Sequence, residues 1–273
     1  MNARTEAARV TKELKSARVP DAGFEAELLV RTAADLSRSA YFGNPELSLG
    51  AVERLAEFTR RRLSREPFAY IAGTREFFGL EFNVTPDVLI PRPETEALVE
   101  AGLDELSRRP DSIVVDVGTG SGAVAISLAR NVPDATVVGI DLPLPAIAVA
   151  TANAERLAPA VQFVRGNLAS AIGHADVVLA NLPYIPSRIL RTLEPEVRDW
   201  EPRLALDGGE DGLDLLRALI DDCSARLRPR LLALEVAISQ DAAVAAYGKV
   251  RGARVETRRD LAGIERVVCL RWE

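Results

Sequence analysis

An alternation of strand, turn and helix dominates the second half of the chain. From residue 112 onward, apolar runs of strand length alternate with glycine turns and with helical stretches, two of which are predicted over about 145–157 and 212–227. Seven runs are predicted strands: SIVVDVG, ATVVGID, VQFVRG, ADVVLAN, LLALEV, ARVETR and ERVVCLRW. Strands that alternate with helices form parallel βαβ units. The pattern predicts an α/β fold with a doubly wound, mostly parallel sheet, whose ligands bind beyond the carboxyl ends of the strands.

The first 73 residues have a different pattern, one of short amphipathic helices. Four large apolar residues recur at helical spacing, and a second amphipathic run extends from Ala51 to Leu63. The four are Phe24, Leu28, Leu29 and Leu36. Asp21, after a proline, is a candidate helix cap. The spacing predicts a small helical domain over residues 1–73.

Between the two patterns lies a segment rich in aromatic and β-branched residues. EFFGLEFNV and TPDVLI are punctuated by Gly79 and Pro86, which predicts a β-hairpin or paired extended segments over residues 74–94. The segment ends in PRPETE, where Thr95 is a second candidate helix cap. The α/β domain is then expected over residues 95–273.

Composition excludes several classes of protein. Hydrophobic residues make up 48% of the chain, and no apolar run approaches the ~18 residues of a membrane-spanning helix. Because the first residues form no signal-like apolar stretch, we expect a cytoplasmic protein. Cys223 and Cys269 are predicted to be buried thiols, and a single histidine, His174, does not suffice for a multi-histidine zinc site.

Five arginines lie close together in the sequence of the helical segment. This cluster consists of Arg54, Arg60, Arg61, Arg62 and Arg65. It is either a basic patch for nucleic acid or the solvated face and end of a helix, and the second is the expected one. The net charge of −6 disfavours general binding to phosphate backbones.

A glycine-rich turn follows the first predicted strand of the α/β domain. The sequence Asp116-Val117-Gly118-Thr119-Gly120-Ser121-Gly122 lies between that strand and a helix. Glycines there let a ligand approach main-chain N–H groups closely. Asp141 ends the next strand, where its carboxylate is placed to accept hydrogen bonds from ribose hydroxyls. Together they predict a nucleoside-binding site.

A second motif, Asn181-Leu182-Pro183-Tyr184, follows the predicted strand ADVVLA at the same sheet edge. Asn and Pro are ordinary turn residues. The motif nevertheless places a side-chain amide, a main-chain carbonyl and an aromatic ring one after another, and together these groups can hold a planar nitrogen. If the Asn181 side-chain oxygen and the Leu182 carbonyl each accept an N–H of a planar amide or amine, that nitrogen is held towards an electrophile. Tyr184 is expected to stack on the held group. This arrangement favours methyl transfer from S-adenosylmethionine.

The glycine turn, the strand-end acid and the Asn181 motif together resemble class I methyltransferases that act on planar nitrogen. Further segments resemble the HemK-type release factor glutamine methyltransferases: EFFGL at 76–80, LIPRPETE at 89–96, EPRLALDGG at 201–209, DGLD at 211–214 and RDLAG at 259–263. The resemblance runs from about residue 66 to the end of the chain. It implies a helical substrate-recognition domain, a connecting hairpin and a seven-stranded Rossmann-like methyltransferase domain that needs no metal.

The resemblance also implies roles for individual residues. Main-chain groups of the turn would hold the cofactor, and Asp141 would bind its ribose. Asn167 and Leu168 would lie beside its adenine. Asn181 would contact both the cofactor and the substrate. The turn residues concerned are Gly118, Thr119, Gly120, Ser121 and Gly122. Residues 181–184 would hold the glutamine amide. The chain departs from the family pattern at Leu182, where proline is usual, at Asn167, where aspartate is usual, and at Arg230, Leu231 and Ala237.

Two other functions are compatible with the sequence. One is a nucleic-acid methyltransferase that flips an adenine into the same pocket; the acidic net charge disfavours it. The other is a non-catalytic, nucleotide-binding Rossmann domain, which leaves residues 181–184 without a role. The expected partners are peptide chain release factors, with neither a membrane nor a stably bound nucleic acid.

Overall fold

The computed structural model describes residues 1–272. These divide into two compact units. The helical unit contains Met1–Thr74 together with the segment Glu194–Trp200, and the sheet unit contains Arg75–Leu193 and the chain from Glu201 onward. The helical unit therefore includes a segment, Glu194–Trp200, that is more than 100 residues away along the chain from the unit's other residues; we call it the inserted segment.

The helical unit contains five helices from the first part of the chain and one helical turn from the inserted segment. They are α1 (Ala3–Ser16), α2 (Ala22–Ala33), α3 (Arg38–Phe42), α4 (Leu49–Leu63), α5 (Phe68–Ala72) and the turn Pro195–Arg198. Leu14, Leu29 and Leu55 are fully buried between them. Asp21 lies at the N-cap position of α2, as predicted, but its side chain makes no capping hydrogen bond. Phe24, one of the four residues at helical spacing, is 62% exposed, because the buried stripe of α2 runs through Ala26, Leu29 and Val30.

The arginine cluster is neutralised by carboxylates. Arg62 is only 2% exposed and forms ion pairs with Glu25 and, at 2.8 Å, with Glu196 of the inserted segment. Arg65 also pairs with Glu196, at 2.7 Å. The expectation of a solvated face was wrong for Arg62, because acidic partners from two other parts of the chain enclose it. Arg54, Arg60 and Arg61 likewise have acidic partners, so no unbalanced basic patch remains here.

The sheet unit contains the predicted doubly wound sheet. Its strands are β3 (Ile113–Val117), β4 (Thr136–Asp141), β5 (Gln162–Arg165), β6 (Val177–Ala180), β7 (Leu231–Glu235), β8 (Arg254–Arg259) and β9 (Glu265–Arg271). Their order is β5-β4-β3-β6-β7-β9-β8, parallel from β5 to β7, with β9 antiparallel to both of its neighbours. All seven predicted strands and the fold class are confirmed.

Helices cover both faces of this sheet. They are α6 (Glu96–Leu106), α7 (Ala123–Asn131), α8 (Leu144–Leu157), Asp214–Asp222 and Asp241–Val250, with a π-helical turn over Cys223–Leu227. Successive strand residues enter different cores: Val114 packs in the core with α6 and α7, whereas Val115 packs in the core with Asp214–Asp222. Cys223 and Cys269 are buried free thiols, as predicted. No helix within residues 1–272 is both long and apolar enough to cross a membrane.

The connecting segment contains one short hairpin. Strands β1 (Thr74–Phe77) and β2 (Leu80–Asn83) form a two-stranded sheet around Gly79, whose φ is +71°. Of the two predicted alternatives, the hairpin is confirmed, and the following TPDVLI stretch forms no strand that would pair with it. Pro86 lacks a main-chain donor for a ladder, and a turn hydrogen bond from Val88 N to Thr85 O, at 3.1 Å, bends the chain there.

Candidate active site

One cavity lies at the carboxyl ends of β3, β4 and β6, where the predicted motifs meet. Its volume of about 190 Å³ is more than ten times the ~10–15 Å³ that a single water needs, so it has room for an organic ligand. Its walls come from the glycine turn, the end of β4, the end of β6 and the 87–95 segment. A ligand there would contact all four at once.

The glycine turn is folded back onto β4. The N–H groups of Gly118 and Thr119 both donate to Ile140 O, each at 2.9 Å. Gly118, Gly120 and Gly122 all have positive φ, and a Cβ on Gly122 would lie 3.0 Å from Ile126 and 3.1 Å from Phe163. Gly118 to Ser121 line the cavity, whereas Gly122 lies outside its lining. This packing fixes which main-chain groups face a ligand.

Asp141 connects the end of β4 to the turn. Its Oδ2 accepts from Gly120 N and its Oδ1 from Leu142 N, both at 2.8 Å. Burial raises the pKa of Asp141, and these two hydrogen bonds oppose that rise. Each carboxylate oxygen has further acceptor capacity, so the side chain can bind two hydroxyls of a ribose while it holds the turn.

Asp116 is a buried residue of the site to which the sequence analysis assigned no role. It lines the cavity, is 1% exposed, and accepts from Thr119 Oγ1 at 2.7 Å and from Ala125 N at 3.2 Å. Burial raises the pKa of Asp116 to about 7, against the effect of those hydrogen bonds. The carboxylate ties the turn to the start of α7. The available signal was its place as the first residue of the glycine motif.

The Asn181 motif forms the wall next to the turn. Asn181, Leu182 and Pro183 line the cavity, as do Asn167 and Leu168 from the loop after β5. The Asn181 Nδ2 group donates to Thr95 Oγ1 at 3.0 Å. Within residues 1–272 its Oδ1 makes no hydrogen bond, so this oxygen is free to act as an acceptor.

Tyr184 has a different environment from the three residues before it. Its hydroxyl donates to Glu235 Oε1 at 3.3 Å, and its carbonyl accepts from Gln240 Nε2 at 2.9 Å. Burial raises the pKa of Tyr184, with a further contribution from the neighbouring Glu235 carboxylate. Tyr184 is outside the lining of the cavity. Stacking of its ring on a bound group therefore stays a prediction.

Several residues that hold the motif were not predicted to do so. Thr95 was expected to cap α6, but its side chain makes no capping bond and instead accepts from Asn181. Gly208 N donates to Ile185 O at 2.9 Å, and a Cβ on Gly208 would lie 2.7 Å from Pro183 O. The segments around 95, 208 and 235 thus surround residues 181–184, although no local sequence pattern shows that they meet.

Two other segments with family resemblance also meet at the cavity. Arg92, which lines it, pairs with the buried Glu201 at 2.5 Å. Burial raises the pKa of Glu201, and Arg92 opposes the rise. The pair joins the PRPE and EPR segments across 109 residues. His174, in contrast, is exposed and outside the lining of the cavity.

The chain is similar to known proteins along nearly all its length. Two family models match, "PrmC N-terminal domain" over residues 7–73 and "Methyltransferase small domain" over residues 95–191. A protein named release factor glutamine methyltransferase from Geobacter sulfurreducens is 41% identical over 92% of this chain and 89% of its own. One of the same name from Gloeobacter violaceus is 43% identical over 93% of both chains.

Solved structures share the fold at much lower identity. A methyltransferase from Pyrococcus furiosus superposes with a TM-score of 0.52 and 16% identity, over 80% of this chain and 96% of the other. At that identity the likeness shows the fold alone.

Proposed function

Because this chain belongs to the release factor glutamine methyltransferase family, we propose that its cavity transfers a methyl group from S-adenosylmethionine to a glutamine side-chain amide. The glutamine is that of the Gly-Gly-Gln motif of peptide chain release factors. One observation carries the proposal: Asn181, whose amide nitrogen is bonded to Thr95, lines the same cavity as Asp141 and the glycine turn.

The charged residues that line the cavity fit S-adenosylmethionine. Three acidic residues line it, Asp87, Asp116 and Asp141, against one basic residue, Arg92. That balance suits a cofactor with cationic sulfonium and ammonium groups and is unfavourable to the pyrophosphate of a dinucleotide. A Cβ on Gly120 would meet no atom within 4 Å, so the main chain there is open to a ligand. We propose that Gly118–Ser121 and Asp141 hold the cofactor, with Asn167 and Leu168 beside its adenine, while Gly122 lets the turn pack closely against Ile126 and Phe163.

The chain's own residues supply alignment. When bound, S-adenosylmethionine supplies an electrophilic methyl group. Asn181 Oδ1 and the Leu182 carbonyl accept the two N–H bonds of the glutamine amide, and Pro183 fixes the main chain between that carbonyl and Tyr184. An amide is a weak nucleophile because its lone pair is delocalised, so holding the nitrogen in line is the main contribution that the protein makes. The extra proton leaves after transfer without a dedicated base.

Three segments of the chain have separate tasks in this proposal. Residues 1–73 recognise the protein substrate, residues 74–94 connect, and residues 95–273 bind the cofactor and hold the amide. A Gly-Gly-Gln loop alone offers little contact area, so remote contacts are needed for affinity. Because acidic side chains neutralise the arginine cluster, the cluster offers no free positive charge to a nucleic acid, and this favours a protein partner. We place this activity in the cytoplasm, where release factors act.

A transfer assay from tritiated S-adenosylmethionine tests the proposal. Release factor, tRNA, rRNA and DNA are supplied side by side, each with wild type and with Asn181→Ala. We expect label only in the release factor, and a loss of that label in the variant. Label in a nucleic acid and none in the release factor would reject the proposed substrate and favour an adenine-directed enzyme.

A further inference from the structure

Helix α1 of the helical unit carries its charges in two separate groups. Arg4, Lys12 and Lys15 are exposed, and at ~100° per residue they fall within about 80° of arc, so they share one face of the helix. Within residues 1–272 none of these three cations forms an ion pair. The two glutamates of the helix lie on the opposite side, where both pair with Arg9. One face of α1 is therefore left with unbalanced positive charge.

An exposed phenylalanine lies at the start of this face. Phe42 of α3 is 52% exposed, and its main-chain oxygen accepts from Arg4 Nη2 at 2.9 Å. The Cζ atoms of Arg4 and Arg38 each lie 6.0 Å from the centre of the Phe42 ring. Arg38 is exposed as well and forms no ion pair within the described part of the chain. An apolar ring and two unpaired cations thus lie together here.

A second exposed phenylalanine lies at the other end of the face. Lys15, in the last turn of α1, and Phe24, in the first turn of α2, line the same cleft. A Cβ on Gly23 would meet no atom within 4 Å, so the cleft is open beside the ring. Asp21 contributes one carboxylate to this cleft. The cleft has room for an apolar side chain of a partner.

These residues form one surface of the helical unit, which we call the α1 surface. Between its two ends, α1 is about 16 Å long. Two exposed carboxylates border the surface, Asp21 in the cleft and Glu46 beside Asn2, against four cations. Apolar residues that are exposed singly need no explanation, but here two aromatic rings bracket a row of unpaired cations. The α1 surface consists of Arg4, Lys12, Lys15, Phe24, Arg38 and Phe42.

From this arrangement we propose that the α1 surface is a docking site for an acidic, amphipathic segment of the protein substrate. Carboxylates of that segment pair with the four cations, and an apolar side chain near each end contacts Phe24 or Phe42. The inference rests on the proposed function, which supplies the protein partner. Complementary charges speed the encounter and fix the orientation of a partner, whereas buried aromatic side chains contribute most of the affinity.

A nucleic acid fits the α1 surface less well than an acidic protein segment does. A base stacks on an open aromatic face, and two guanidinium groups already lie over the Phe42 ring. The net charge of −6 also opposes general attraction to phosphate backbones. The observations therefore favour a protein partner.

Identical lysine-to-glutamate substitutions test the proposal in the whole protein. Lys12→Glu and Lys15→Glu change the α1 surface. Lys249→Glu is the matched control, because Lys249 is an exposed lysine of the sheet unit that forms no ion pair within residues 1–272. Phe42→Ala removes one apolar contact. We measure kcat and KM for intact release factor and for a short Gly-Gly-Gln peptide, the Kd of release factor by calorimetry without turnover, and the melting temperature.

The expected effect is confined to the intact protein substrate. KM and Kd for release factor should rise ~5- to 10-fold in Lys12→Glu, Lys15→Glu and Phe42→Ala, with kcat unchanged and Lys249→Glu at wild-type values. Peptide kinetics should stay at wild-type values in all variants, because the peptide carries no segment for the α1 surface. Added salt should raise the wild-type KM and narrow its gap to the lysine variants, because screening weakens the charge pairs.

Three results would overturn the docking site. They are a wild-type KM in all the surface variants, an equal rise of KM in Lys249→Glu, and inhibition by tRNA of the wild type but not of the lysine variants, which would indicate a nucleic-acid surface. If the wild type methylated neither release factor nor peptide, the proposed function would fall. The Kd of release factor for the same variants would then still decide whether the α1 surface binds it, so the two failures are distinguishable.

Discussion

Replacing Gly208 with alanine tests whether the 181–184 main chain must stay where the structure places it. Gly208 has no positive φ, so alanine is compatible with its own backbone. The added Cβ would nevertheless lie 2.7 Å from Pro183 O and 2.8 Å from Tyr184 Cα. Both are backbone atoms of the motif, and neither can turn away as a flexible side chain would.

The size of the effect follows from these distances. Ordinary van der Waals contact begins near 3.4 Å, so the Pro183 carbonyl or the Gly208 segment must move by several tenths of an ångström. Overpacking of this kind costs about 1–3 kcal/mol of stability. A misplacement approaching 1 Å at a reacting group can cost about 10²-fold in rate. We expect Gly208→Ala to lower kcat ~10- to 100-fold.

Steady-state methylation of release factor, with calorimetric titration of S-adenosylmethionine, is the assay. Gly208 lies outside the lining of the cavity, so cofactor affinity should stay near wild type while kcat falls. Gly173→Ala is the matched control, because a Cβ there meets no atom within 4 Å and its φ is not positive. A Gly208→Ala enzyme that is folded and as fast as Gly173→Ala would refute the positioning argument.

Three further predictions concern the cofactor, the motif and the helical unit. Asp141→Ala should weaken S-adenosylmethionine binding by roughly ten- to a hundred-fold in calorimetry, since about 1.5–3 kcal/mol of charge-assisted hydrogen bonding is lost; unchanged affinity would reject its role. Asn181→Ala should lower turnover about a hundred-fold or more, whereas Leu182→Pro should be mild in the same assay because its carbonyl persists; the reverse order would contradict the proposed amide contacts. Arg62→Ala should destabilise the protein by about 3 kcal/mol in denaturant unfolding, because it leaves the partly buried Glu25 carboxylate unpaired and leaves Glu196 with Arg65 alone. The exposed Arg60→Ala should change little, and similar stabilities of the two variants would disprove the buried network.

The sheet and the site at its edge were predictable because their determinants are local. Each strand is a short apolar run bounded by turn residues, and parallel strands bring their carboxyl ends to one edge. Asp141 and Asn181, at the ends of β4 and β6, therefore had to lie near the glycine turn between β3 and α7. The structure places all of them around one cavity.

The supporting contacts were not predictable because they join distant parts of the chain. Glu235 reaches Tyr184 across 51 residues, only because β7 lies next to β6 in the sheet. Arg62 meets Glu196 across 134 residues, so one arginine of a helix end that the sequence predicts to be solvated is buried. Thr95 resembles a helix cap in sequence, and only its tertiary partner shows that its hydroxyl serves Asn181.

Mass spectrometry of release factor after incubation with the enzyme and S-adenosylmethionine tests the central claim most directly. Fragmentation locates the added mass, and Asn181→Ala serves as the control. The proposed function predicts a single added methyl on the side chain of the glutamine in Gly-Gly-Gln, absent from the control. A release factor that stays unmodified, or that gains its methyl on another residue, would contradict it.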